Sequence, residues 1–526
     1  MRNIKYSRMI IMALVVMSTQ ATPVPCYDIF EQTFAWDSAS YANPWEQVRL
    51  TMTCTSPTGQ QTALGGFYYG PNTWKARFAP AQTGNWSWQA ELSDGIKTKR
   101  WSGSFRVIPS AWPGFVRLNP QNPFRWVFDD GTSYNPIGIG DSIPDIDKNG
   151  VLLNRWGLDG DFRPRGTHKD GRSVDIDTYF KAYHDAGVNL FRWSVDNCAF
   201  NLYKTIDPSG NVYLVNEGIA GDELVRTLRQ YDMRVYMVIF GFNPPFAGHG
   251  APPAEQYDAI KRYVKYVVDR YGAYVDFWEL MNEATASEEW YREIADYLRR
   301  IDPYHHLIST SWKKPERADI DINSPHWYQR ESEFESDAVT WAKMRDWKRF
   351  NKPVIVGEQG NQVQNYDDHS GVRMRLRSWT AFFAEGVLIF WNSSFAKDYK
   401  NPEAANIYLG PEERGYLKVL QDFTRGFDPR AIMTDVQVND PSRVRAYALK
   451  SPSTYAAYLH AYTDHDKSTT GVQITIDLPR CGMATWIEPS SGRVMGRQNV
   501  DAGRQTLSVP PFTIDAALKV KAISPK

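Results

Sequence analysis

Two glutamates stand four positions apart in the stretch FWELMNEA, residues 277–284: Glu279 and Glu283. A carboxyl group can donate a proton, accept one, or attack an electron-poor carbon, so their depth in the fold decides whether either reacts. On a helix this spacing stacks both on one face. On a strand it also keeps one face but sets them at different depths. A third glutamate, Glu358, closes the apolar run of PVIVGEQ (353–359). Gly357 before it leaves room for close approach of a sugar or of backbone. An arginine, Arg192, lies within the apolar run VNLFRWS (188–194).

What positions these groups is a change of rhythm along the 526 residues. That length exceeds one core and implies several domains. Residues 22–109 alternate polar and apolar in short runs broken by turns, the pattern of a β-sandwich. From 110 to 429 apolar strands alternate with amphipathic helices, as in a parallel sheet. Eight strands are legible: 135–140, 188–194, 234–242, 275–283, 306–312, 321–328, 353–359 and 386–392. Helices fit at 175–187, 221–232, 254–272 and 288–302. Eight βα units describe a (β/α)8 TIM barrel. An open doubly wound sheet would be the other solution, but no G-x-G-x-x-G follows the first strand. From 430 to 526 strands return as a second β-sandwich.

In a barrel of this kind chemistry sits where the strands end. The fourth strand stops at Asn282-Glu283, so Glu283 is expected at the mouth and Glu279 below it as support. A buried carboxylate needs a partner, and Arg192 is the candidate. Glu283 and Glu358 are about 75 residues apart, or three βα units of about 25 residues each, a normal unit length.

Several groups of residues resemble known families. YANPW, GFYYG, WKARFAP and TGNWSW are similar to an immunoglobulin-like domain that commonly precedes barrels in bacterial polysaccharide-degrading enzymes. The C-terminal strands resemble small domains attached to glycosidase barrels. Asn-Glu ending strand four and Gly-Glu ending strand seven look like the signature of glycoside hydrolase clan A. Arg192, His326, Tyr328 and Trp391 also fall where the cellulase- and mannanase-containing family of that clan has strand-end residues. One departure is the third strand, which ends GFNPPF without the histidine often found there. The resemblance implies a retaining glycosidase with two carboxyl groups roughly 5–5.5 Å apart. It makes Glu283 the acid/base and Glu358 the nucleophile. It implies that Arg192 favours the ionised nucleophile, Tyr328 donates to it, and Asn282 holds the sugar 2-hydroxyl. His326 would orient Glu283 or the sugar, and Trp391 would floor the cleavage point. The implied substrate is a polysaccharide or oligosaccharide. An exo-acting enzyme on pectin-type side chains is one alternative, and a non-catalytic carbohydrate-binding protein is another. The pair of glutamates argues against the latter.

Composition bounds the rest. Lys plus Arg equals Asp plus Glu, 60 against 60, so no basic field exists to attract nucleic acid. The start of the chain has Arg2, Lys5 and Arg8, an apolar run (9–17) too short to span a bilayer, and small residues before Ala21. That order predicts an export signal over 1–21, and no later run predicts a membrane span. Nothing in the sequence fixes an oligomeric state. Of four cysteines, Cys26 and Cys54 are either a disulfide or two buried thiols. No C-x-x-C or H-E-x-x-H spacing points to zinc, and the reading needs no cofactor. DIDKNG (145–150) starts like a calcium loop, but its twelfth position is Trp156 rather than Glu, which favours a polar turn.

Overall fold

The computed structural model describes residues 22–141, 161–162, 174–196, 201–241, 244, 246, 253–311, 314–329, 331–360, 371–392 and 409–522. The export signal, the 145–150 turn with Trp156, and Cys198 lie outside them. No helix among the described residues is long and apolar enough to cross a membrane.

Eight parallel strands close into a barrel. They are β1 (Gly138–Asp141), β2 (Leu190–Ser194), β3 (Arg234–Phe240), β4 (Phe277–Met281), β5 (Leu307–Ser311), β6 (Ile322–Ser324, resuming as His326–Trp327), β7 (Val354–Gln359) and β8 (Gly386–Asn392). Each pairs with the next, and β8 returns to β1 with Gly140 opposite Trp391. Pro325, which has no N–H to give the ladder, divides β6. Among the described residues seven helices pack outside: α1 (Ile176–Asp185), α2 (Val215–Gln230), α3 (Ala254–Tyr271), α4 (Glu288–Ile301), α5 (Ser336–Lys348), α6 (Gly371–Phe383) and α7 (Pro411–Thr424). These outer elements depart from the expected eight units in one place. Among the described residues no helix joins β5 to β6, whose link is too short for a strand–helix–strand crossover of usual length. Helix α2 also starts six residues earlier than its periodicity suggests. Its N-cap is Leu214, which offers no side-chain cap, so no start signal marks it.

The barrel floor is closed by an element absent from the sequence reading. Strands Val116–Asn119, Asn122–Phe128 and Ser133–Tyr134 form a three-stranded antiparallel sheet. Its Val116, Trp126 and Tyr134 pack on Leu190, Tyr236, Phe277, Ile322, Ile355, Val387 and Ile389, the inward side chains of the lower barrel layer. Trp126 meets Phe277 edge-on at 5.4 Å between ring centroids. The interior is therefore apolar below and polar above, because Arg192 and Glu279 share the inward parity of Leu190 and Phe277 two residues on.

Flanking β-domains bracket the barrel. The N-terminal one has a five-stranded and a three-stranded sheet with Trp74, Cys54 and Leu92 fully buried between them. Cys26 and Cys54 are free thiols rather than a disulfide, but only Cys54 is buried and Cys26 is half-buried. Burial pushes the Cys54 thiol up to about 12. The C-terminal domain has a six-stranded sheet, which includes the additional strand Val494–Val500, and a three-stranded one, which includes Gly503–Ser508.

Candidate active site

All seven expected site residues meet at the C-terminal mouth of the barrel. The organising group is Arg192, 1% exposed on β2. Its Nε and Nη2 donate to the two carboxylate oxygens of Glu279 at 2.7 and 2.8 Å. Nη1 donates to Glu358 Oε1 at 3.0 Å, and Nη2 also donates to Asn282 Oδ1 at 2.8 Å. Burial opposes the guanidinium charge, but Glu279 and then Glu358 hold it well above the ordinary arginine range. Glu279 is fully buried and engaged at both oxygens, so it supports the layer above. That is the depth difference the four-residue spacing implied.

Glu358 is held from both sides. One oxygen takes the Arg192 bond and the other accepts from the Tyr328 hydroxyl. Burial, and then the charge of Glu358, hold that hydroxyl well above the ordinary tyrosine range, so it remains a donor. Glu283, by contrast, is open: its side chain is 36% exposed and Oε1 lies 2.8 Å from Nδ1 of His326. The same Nδ1 is 3.5 Å from Glu358 Oε2. A ring nitrogen of His326 and one oxygen of each glutamate all fall within 4.8 Å of one another. Two carboxyl groups at this separation can serve one carbon between them, and an open one beside a clamped one can take different protonation duties.

The strands enforce this geometry. Glu283 has φ +49°, a left-handed conformation in which its N–H donates to Ser311 Oγ on β5 at 2.6 Å. Trp391, 5% exposed, lies against Gly140, where a Cβ would come within 2.4 Å of the indole, and the Arg192 guanidinium sits 5.3 Å from its ring centroid. The need for glycine at 357 differs from the expected one. A Cβ there would meet Ser324 Oγ at 2.7 Å and His326 Nε2 at 3.2 Å, so glycine makes room for the side chains of β6 rather than for a sugar or backbone. Below this layer Tyr236 Oη contacts Ser309 Oγ at 2.5 Å and Ser324 Oγ at 3.0 Å. Ser309, Ser311 and Ser324 were not singled out from the sequence. The alternation L-I-S-T-S of β5, with Ser309 and Ser311 on the inward parity, is the signal that could have found the first two.

Comparison with known proteins agrees with the fold. A family model described as a domain of unknown function, DUF5060, matches residues 23–93. A beta-glucuronidase from Paenibacillus borealis is 24% identical over 220 residues, 38% of this chain and 35% of that protein, so the match spans about a third of the relative's length. A solved structure from Bacteroides vulgatus ATCC 8482, described as a candidate glycoside hydrolase, shares the fold with a TM-score of 0.66 at 17% identity, over 96% of this chain and 100% of that one. A GH30 endoxylanase from Clostridium papyrosolvens C71 is a looser neighbour, with a TM-score of 0.42 at 12% identity over 66% of this chain and 93% of that one. The likeness to the Bacteroides structure extends through both flanking domains, so the three-part architecture recurs as a unit.

Proposed function

We propose that this chain is a retaining β-glycoside hydrolase acting on a polysaccharide or oligosaccharide. The carrying observation is the pair of carboxyl groups, Glu283 and Glu358, with oxygens within 4.8 Å at the barrel mouth, one open and one clamped by Arg192 and Tyr328. In this reading Glu358 attacks the anomeric carbon and the leaving oxygen takes its proton from Glu283. Glu283 then removes a proton from water as that water displaces Glu358. Two displacements at one carbon retain configuration. The clamp engages Glu358 at both oxygens, while His326 orients the Glu283 carboxyl. Asn282, whose Oδ1 is held by Arg192, would use its amide nitrogen to hold the sugar 2-hydroxyl in this reading.

The test is a panel of polysaccharides and aryl glycosides, β-glucuronides and pectin-type side chains among them, followed by two variants on whichever substrate is cleaved. Glu283→Ala should abolish turnover of glycosides with poor leaving groups and spare kcat/KM for activated ones, with azide restoring turnover. A fluorosugar inactivator should label Glu358. An inverted first product by NMR would refute the mechanism. No cleavage across the panel, with sugar binding retained, would favour the carbohydrate-binding alternative. Release of single terminal sugars only would favour exo action. We also propose export with cleavage after Ala21, on the basic, apolar and small-residue order of 1–21. Mass analysis of the mature protein from its own host should begin at Thr22, and a retained Met1 would refute it.

A further inference from the structure

The backbone around Glu283 is gripped from both neighbouring strands in alternation. Thr310 Oγ1 on β5 donates to the carbonyl of Met281 at 3.2 Å. The N–H of Asn282 donates to the carbonyl of Phe240 on β3 at 2.8 Å. The N–H of Glu283 then donates to Ser311 Oγ at 2.6 Å. The regular β4–β5 register runs to Glu279 opposite Ser309, so the contact at Glu283 is made by a side chain beyond the ladder. Ser311 is the last residue of β5 and 1% exposed. Glu283 meanwhile holds a left-handed φ of +49°, a conformation costly for a residue with a Cβ. That turn swings its carboxyl sideways to His326 on β6 instead of continuing the line of β4.

We propose that Ser311 is a positioning residue for the acid/base: its hydroxyl holds the Glu283 amide and thereby fixes the turn that aims the carboxyl across the mouth. This rests on the reading of Glu283 as the acid/base. Without the acceptor, the partly buried Glu283 N–H loses this bond and the turn relaxes toward an ordinary φ, which carries the carboxyl away from the leaving oxygen. Misplacement by about an ångström costs on the order of a hundredfold where geometry controls the step. In kcat/KM, which reads the first displacement, the loss should fall on leaving-group protonation, because Arg192, Tyr328 and Glu358 make no contact with Ser311 among the hydrogen bonds described for them.

The experiment compares kcat/KM for two glycosides of the sugar that the wild type cleaves: a dinitrophenyl glycoside, which needs no proton on departure, and a benzyl glycoside, which does. Ser311→Ala should lower the benzyl value by about ten- to a hundredfold and leave the dinitrophenyl value within about threefold. Ser311→Thr, which keeps the hydroxyl, should recover most of the loss. Ser311→Cys, a weaker acceptor in the same place, should fall between, and it carries the test if the alanine variant does not fold. Equal loss on both substrates, no loss on either, or a threonine variant no better than alanine would overturn the proposal. Glu283→Ala measured alongside separates the two readings. If it shows the leaving-group split and the Ser311 variants do not, the serine assignment alone fails; if it shows no split, the acid/base assignment fails.

Discussion

Arg192 satisfies three acceptor residues with one planar group, and that is why lysine cannot replace it. A guanidinium offers five donors in a fixed fork, whereas an ammonium is a single point charge on a flexible stem. Arg192→Lys would keep the charge but leave at least one oxygen of the buried Glu279 and the Asn282 carbonyl without their bonds. The expected cost is about 1–3 kcal/mol of stability. Activity should fall about a hundredfold or more, because Asn282 and Glu358 both lose their alignment. Thermal unfolding and kcat/KM on the cleaved substrate check the two parts; activity within threefold of wild type would mean that charge, not the fork, matters. Tyr328→Phe isolates the other side of the clamp. It removes the donor to Glu358 and almost no volume, so folding should be unaffected while kcat drops about ten- to a hundredfold. Equal kcat in the two proteins would remove Tyr328 from the machinery.

Strands β6 and β7 depend on each other through Gly357. The close approach of Ser324 and His326 to that backbone is what lets the imidazole reach Glu283. Gly357→Ala should therefore cost about 1–3 kcal/mol from overpacking and lose activity by displacing His326. Adding Ser324→Ala removes the nearest atom, 2.7 Å from the new Cβ, and should recover part of both. A double variant no better than the single would place the clash elsewhere. This dependence also shows what the sequence could convey. Parity and strand ends are local properties, so the depths of Glu279 and Glu283 and the meeting of Glu283 with Glu358 were legible from PVIVGEQ and FWELMNEA. The reason for Gly357 was not, because it lies in a side chain on a neighbouring strand. The helix-free link between β5 and β6, by contrast, was open to reading: the expected strands 306–312 and 321–328 leave only eight residues between them, too few for a crossover helix of usual length. The left-handed turn at Glu283 carries no sequence mark at all, since glutamate is not a residue that favours it.

At the scale of the whole molecule, the three-part architecture was legible from the changes of rhythm, but the contacts that join the parts were not. Charged side chains in period-two strands look like solvated faces, yet Arg77 of the N-terminal domain and Arg270 of α3 are both fully buried against Asp222 of α2. Arg77 donates to both Asp222 oxygens at 2.9 and 2.7 Å, and Arg270 does the same at 2.9 Å each. Burial alone would raise the Asp222 carboxyl, but Arg270 and then Arg77 outweigh it and bring it down to about 2. An unfolded aspartate titrates near 3.9, so between about pH 4 and pH 2 the unfolded chain binds more protons at this site, and stability rises with pH there. The contribution is therefore fully present above about pH 4 and is lost as pH falls toward 2, amounting to about 2–3 kcal/mol. Asp222→Asn removes the charge at every pH and leaves two buried guanidiniums without it, at a cost of about 3–5 kcal/mol at neutral pH. Because the domain contact runs through this carboxylate, limited proteolysis should release the N-terminal domain from the variant sooner than from the wild type. The thermal midpoints of the two proteins should differ most at pH 7 and converge as the pH is lowered to about 2.5, where the wild-type carboxylate begins to take up its own proton. A difference that stayed constant across that range would show that Asp222 acts through packing, with its charge already cancelled in the folded state.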